Sequence, residues 1–173
     1  MTFNSTSDAF ELLESLNASE RLLKHAKLVL EVAQILLEGL DEMQVTVSHN
    51  VVKLGAVLHD VGKTAHPEEL DFPGDEHEVM GKQLLLGNGI DEQIAEISVS
   101  HAKWDESTPL EALCVALADK LWKGKRVVSL EKLMIDRCFR ELDVDNYWDV
   151  FIQLDTFFEE IAADGETRLK RSL

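Results

Sequence analysis

Leu22, Ala26, Val29, Ala33, Leu36 and Leu40 recur at three- and four-residue intervals within "NASERLLKHAKLVLEVAQILLEGL". A strand alternates faces at every residue and cannot hold these six side chains on one side. A helix of about five turns can, and other helices must then cover the stripe. Asn17, with Glu20 three residues later, resembles a capping box at its start, and Gly39 falls near its end.

The same period returns along the chain. "VVKLGAVLHDVGK" predicts a second helix from about Val47 that stops at Gly62, the residue after its C-terminus. "KTAHPEELDFPGD" reads as a loop because two prolines and a glycine punctuate it. Asp75 with Glu78 starts the next helix, which Gly87 and Gly89 end. Ile90, Ile94, Ile97 and His101 share a face of the segment that follows. Pro109 opens "PLEALCVALADKLW", where Ala112, Val115, Ala116 and Asp119 lie on one side. Trp148, Phe151, Ile152, Phe158 and Ile161 predict a packing helix whose aromatic stripe is core. No segment alternates as a strand does, and no repeat or linker divides the chain. The expected class is all-α: a single-domain helical bundle over 1–173, with its motifs within 20–126 and helices over 127–165 packing onto them.

A chain of 173 residues can bury a substantial core. Cys114 and Cys138 lie inside helical patterns without disulfide-framework spacing, so two buried thiols in a reducing compartment are expected. "MTFNSTSDAF" lacks the basic and apolar regions of a signal peptide, and no apolar run approaches the roughly 18 residues of a membrane span, so a soluble cytoplasmic protein without a membrane partner is expected. Seventeen basic against 33 acidic side chains leave a net charge of −16, which repels nucleic-acid polymers. A small phosphorylated molecule is still compatible, because Lys120, Lys123, Lys125 and Arg126 cluster in "ADKLWKGKR".

Polar residues interrupt the apolar faces at five positions: His25, His59, Asp60, His101 and Asp119. His77 joins them one turn before Met80, Gly81 and Leu84. A carboxylate moved into a core costs several kcal/mol unless a positive group meets it. A multivalent cation meets two at once. Mixed imidazole and carboxylate ligands suit iron, manganese, cobalt, nickel or zinc better than calcium or magnesium. The set contains no cysteine, which argues against a structural zinc site. His49 and His66 read as surface or loop histidines, with His66 the nearer to any ligand because its loop can cover the site.

Taken in order, "KHAKLV", "LHDVGK", "DEHEVMG", "SHAKW" and "ALADKL" resemble the HD-domain superfamily of metal-dependent phosphohydrolases over residues 20 to 126. His25, the His59–Asp60 pair and Asp119 match that family's signature in order. With His77 and His101 added, the resemblance implies a dinuclear centre. By that resemblance Asp60 would bridge two divalent transition metals per chain, iron or manganese foremost. His25, His59 and Asp119 complete the first position, and His77 and His101 the second. Cyclic-dinucleotide phosphodiesterases and diadenosine tetraphosphate hydrolases share this pattern. The chain departs from the former in having no GYP segment and a single His101 where two adjacent histidines are usual. The resemblance further implies catalytic roles for Asp60 and Lys63, the latter matching a lysine that contacts substrate phosphate. Arg21, Lys123 and Arg126 are further candidates for binding the substrate. The expected activity is attack of metal-activated water on a nucleotide or other phosphate ester. The alternatives are a mixed-valent diiron oxygenase and a non-catalytic nucleotide-binding regulator.

Overall fold

The computed structural model describes residues 5–173; Met1–Asn4, which open the segment read as lacking a leader, lie outside the described residues. Among the described residues nine α-helices follow one another: α1 (Thr6–Ser15), α2 (Glu20–Glu42), α3 (His49–Leu58), α4 (Glu76–Gly87), α5 (Glu92–Ser100), α6 (Leu110–Leu121), α7 (Val128–Leu142), α8 (Tyr147–Ala163) and α9 (Gly165–Ser172). Two 3-10 turns, Val61–Thr64 and Pro67–Leu70, fill the stretch between α3 and α4. There is no strand among the described residues.

Helix α6 is apolar on nearly every side, and only Glu111 and Lys120 escape burial along it. Such a helix belongs at the centre. α2, α3, α5, α7 and α8 pack around it. The six-residue stripe of α2 is entirely buried, as its spacing requires. A second, smaller core joins Ala9, Leu12 and Leu13 of α1 to Leu54 and Leu58 of α3, Leu85 of α4 and Ile94 of α5. α1 has no counterpart in the sequence reading, although Ser5 and Asp8 cap it reciprocally: Asp8 N donates to Ser5 Oγ at 3.2 Å and Ser5 N to Asp8 Oδ2 at 3.0 Å.

The structure corrects three sequence expectations. The cap of α2 is Ser19, whose hydroxyl accepts from Leu22 N at 3.2 Å. Asn17 instead takes a left-handed conformation, with φ 59°, in the preceding turn. α3 ends at Leu58, short of Gly62. Gly62 is glycine because a Cβ there would stand 1.9 Å from the carbonyl oxygen of His77, so two backbones meet at this point. On α8 the buried face is Val150, Leu154, Phe158 and Ile161, whereas Trp148 and Ile152 are 63% and 60% exposed. Apolar residues occur on both sides of α8, and the positions of α7, α2 and α6 select the inner one.

α9 lies beyond the expected end of the bundle and docks on α2. Arg168 is buried and donates to the Ile161 carbonyl at 2.7 Å and to Glu31 at 3.4 Å. Arg171 makes two further bonds to Glu31, each 2.9 Å. Cys114 and Cys138 are free and buried, as expected. No helix among the described residues is long and apolar enough to cross a membrane.

Candidate metal centre

The six expected ligands converge from helix ends. His25 lies in the second turn of α2, and His59 caps the C-terminus of α3 with Asp60 directly after it. His77 is in the first turn of α4, His101 caps the C-terminus of α5, and Asp119 stands in the last turn of α6. All are buried except His25, which is partly so.

Asp60 organises the group. Its Oδ2 faces His25 Nε2 at 3.2 Å and His59 Nε2 at 3.6 Å. Asp119 Oδ1 completes that side, 3.4 Å from His25 Nε2 and 3.6 Å from His59 Nε2. The other oxygen, Oδ1, faces His77 Nε2 at 3.3 Å and His101 Nε2 at 3.6 Å. One carboxylate therefore faces four imidazoles, two from each oxygen.

The far side of three rings is fixed. His59 Nδ1 donates to Ala56 O at 2.9 Å and His101 Nδ1 to Ile97 O at 3.0 Å. His77 Nδ1 donates to the carboxylate of Glu69. With Nδ1 occupied in this way, each Nε2 is turned inward and left available to a cation, as when an outer partner sets the tautomer of a metal-ligating histidine.

Charge follows the same plan. Burial works against ionising Asp60, but the His59 charge and the imidazoles of His25 and His77 hold its carboxyl well below the usual range. Burial likewise opposes Asp119, and His59, His25 and Lys120 outweigh it. Burial resists charging His59, yet Asp60 and Asp119 raise its pKa; His77 is raised despite burial by Asp60 and Glu69. His101 moves the other way, to about 4, through burial and the neighbouring His59 charge. Positive charge is thus drawn to the carboxylates. Lys63 Nζ is 2.6 Å from Asp60 Oδ2, and Lys120 Nζ is 2.7 Å from Asp119 Oδ2.

A cation fits this donor set. Neighbouring ligand atoms on a cation with bonds of roughly 2.1 Å lie roughly 3 Å apart when they meet at right angles, close to the spacings above. The ligand atoms of His25, His59 and Asp119 all lie within 4.8 Å of one another, as do those of His59, Asp60 and His101. Asp60 Oδ1 and His77 Nε2 are buried and make no hydrogen bond, although each faces the other. Buried polar atoms are seldom left so.

The basic candidates divide. Lys63 is at the centre. Lys123 lies beside it, its ammonium 5.8 Å from the ring of Trp122, which meets His25 edge-on at 5.3 Å. Burial pushes the Lys123 pKa down. Arg21 and Arg126 are committed elsewhere. Arg21 donates to Asp71 at 2.5 Å and to Leu70 O at 2.8 Å, and Arg126 binds Glu131 through two 2.8 Å bonds and Asp155 at 2.6 Å. Each guanidinium meets a carboxylate of this chain in this structure. His49 pairs with Asp41 and His66 with Glu68 in the loop, outside the ligand group as expected. Glu69 went unassigned by the sequence reading, and Lys120 was read only as part of the basic cluster. Lys120 adjoins a ligand and was legible in principle; Glu69 sits in a loop with no periodic pattern.

The HD-domain family model matches residues 22–122. Among curated proteins, the chain is 28% identical over 79% of its length to a tRNA (cytidine(56)-2'-O)-methyltransferase of Thermoplasma volcanium, of which it spans 39%. It is 24% identical over 88% of its length to the same-named protein of Picrophilus torridus, of which it spans 45%. An uncharacterised protein of Methanocaldococcus jannaschii is 32% identical over 54% of the chain, with 51% of its own length spanned. The chain thus covers about half or less of these relatives. Among solved structures, the HD domain of the L. monocytogenes phosphodiesterase PgpH has the same fold, with a TM-score of 0.54 and 17% identity over 88% of this chain and 97% of that one. The family match spans more than half of the chain and contains every one of the converging histidines and aspartates, so the protein belongs to the HD-domain family.

Proposed function

We propose that the protein is a metal-dependent phosphohydrolase acting on a small phosphorylated substrate, a nucleotide or another phosphate ester. The observation that carries this reading is the two-sided carboxylate of Asp60, with Oδ2 toward His25 and His59 and Oδ1 toward His77 and His101. His25, His59, Asp60 and Asp119 would hold one divalent transition metal, and Asp60, His77 and His101 a second. Iron or manganese are the metals of first choice for such ligands, with cobalt, nickel and zinc also compatible. When bound, such a pair activates water and takes up charge on the phosphoryl oxygens.

The chain's own residues do the rest. Asp60 holds both positions at a fixed separation. The backbone acceptors at Ala56 and Ile97 and the Glu69 carboxylate keep three imidazoles turned inward. Lys63 neutralises Asp60 in this structure and would be free to meet a substrate phosphate if a cation took over that carboxylate's charge. Lys120 and Lys123 add positive charge beside Asp119. The −16 net charge argues for a small anion over RNA, so the activity in the names of the methyltransferase relatives is not assigned to this chain.

The test is apo-protein reconstituted with Mn²⁺ or Co²⁺ under nitrogen and offered a panel of nucleotides and phosphate esters, with released phosphate or nucleotide measured. Turnover without oxygen supports hydrolysis. Strict dependence on both iron and oxygen would replace it with the diiron oxygenase, and metal-independent nucleotide binding without turnover with the regulator.

A further inference from the structure

Glu69 belongs to none of the motifs, yet it touches more of the centre's support than any other loop residue. It lies in the 3-10 turn Pro67–Leu70, with its side chain 6% exposed. Its Oε1 accepts from the backbone N–H of Glu76 at 3.2 Å, and its Oε2 accepts from the N–H of His77 at 3.4 Å and from His77 Nδ1. These are the first two backbone donors of α4, which a helix leaves without internal partners. Asp75, at the cap position itself, makes no side-chain capping bond there. One carboxylate therefore caps the helix and orients the imidazole that the helix carries.

Two neighbours hold Glu69 in place. A Cβ at Gly74 would come within 2.5 Å of the Glu69 carboxyl carbon, so only glycine leaves room for the carboxylate. Arg21 secures the end of the same turn through Leu70 O and Asp71. The result is visible at His77. Its Nδ1 proton is engaged, and its bare Nε2 points at the equally bare Asp60 Oδ1, 3.3 Å away.

We propose that Glu69 is the positioning residue of the second metal position, setting both the tautomer and the place of His77, and that Gly74 is glycine in order to admit it. The inference rests on the two-metal reading above. A carboxylate behind a ligating imidazole orients the ring and raises its basicity, and its loss weakens metal affinity by about 10–100-fold. Glu69→Gln keeps the size and one acceptor but puts an amide where Oε2 accepts from the imidazole. Gly74→Ala displaces the carboxylate without altering any hydrogen-bonding group.

The experiment is titration of apo-protein with Co²⁺, read by calorimetry and by visible absorption of the bound ion. Wild type is expected to take two equivalents. Both variants are expected to keep the first at wild-type affinity and to bind the second about 10–100-fold more weakly. Glu69→Asp, which retains the carboxylate, should recover part of the loss. In a His77→Ala background, Glu69→Gln should change Co²⁺ binding no further. Two wild-type equivalents with an unchanged second affinity in Glu69→Gln would overturn the role of Glu69 and leave the two-metal reading standing. So would equal weakening of both equivalents, which signifies general loosening. A single equivalent in wild type would overturn the two-metal reading and, with it, this inference.

Discussion

At Asp60 the two carboxylate oxygens face different histidines, so a side chain with a single acceptor oxygen cannot replace both. Asp60→Asn nearly preserves volume but removes the charge. It is expected to abolish turnover and to lower the content of both metals, measured by elemental analysis of reconstituted protein. An Asp60→Asn protein with two full equivalents would remove Asp60 from the bridge. Lys63 is tested differently, because its 2.6 Å contact with Asp60 makes a structural explanation available. If it meets the phosphate, Lys63→Ala should cost about 2–4 kcal/mol in kcat/KM, similar to a lost oxyanion donor, with metal content unchanged. Unaltered kinetics would return it to the role of counter-ion. At this scale the sequence was informative wherever a polar residue broke an apolar period, as His25 does on the stripe of α2. It was silent at Glu69, because no period runs through a loop and a polar residue there breaks no pattern.

Between elements, the closest approach near the centre is that of the turn after α3 to α4. Gly62→Ala would set a Cβ 1.9 Å from the His77 carbonyl oxygen, an atom of backbone that cannot rotate away. α4 must shift, which is expected to cost about 1–3 kcal/mol, the usual range for overpacking, and to weaken the second metal equivalent first. Urea unfolding and Co²⁺ titration of the variant measure the two effects. At the other end of the molecule, Arg171 and Arg168 hold the Glu31 carboxyl below its usual pKa. A carboxylate depressed on folding contributes stability above its unfolded pKa of about 4.5 and loses it as pH falls through the folded value. Glu31 is 39% exposed, so the effect is screened and amounts to about 1 kcal/mol or less. Glu31→Gln is expected to lower stability slightly at pH 7, with the difference vanishing toward pH 3 as Glu31 itself is protonated; denaturant midpoints at both pH values check the sign.

Across the whole molecule, the proposed centre predicts a coupling of metal binding to folding. A cation that binds only the native state stabilises it by about 2.7 kcal/mol per site at a free concentration 100 times its Kd. For a domain of this size each kcal/mol raises Tm by roughly 2–4 °C. Chelation should therefore lower Tm by several degrees, and Mn²⁺ or Co²⁺ should restore it; a Tm indifferent to both would argue against an occupied centre.

The sequence alone determined that the chain is helical and that the faces of α2, α3 and α6 turn inward, with His25 on the first, His59 and Asp60 at the end of the second and Asp119 on the third. Period and burial are local consequences of which residues repeat, and they survive whatever the helices pack against. It did not determine which side of α8 is covered, why Gly62 is glycine, or that Arg21 and Arg126 are held by this chain's own carboxylates. Nor did it reveal that a loop glutamate stands behind His77. Those outcomes depend on where separate elements meet. The same glycine, arginine or glutamate has one role against a neighbouring backbone or carboxylate and another in water, and only the tertiary structure supplies the neighbour.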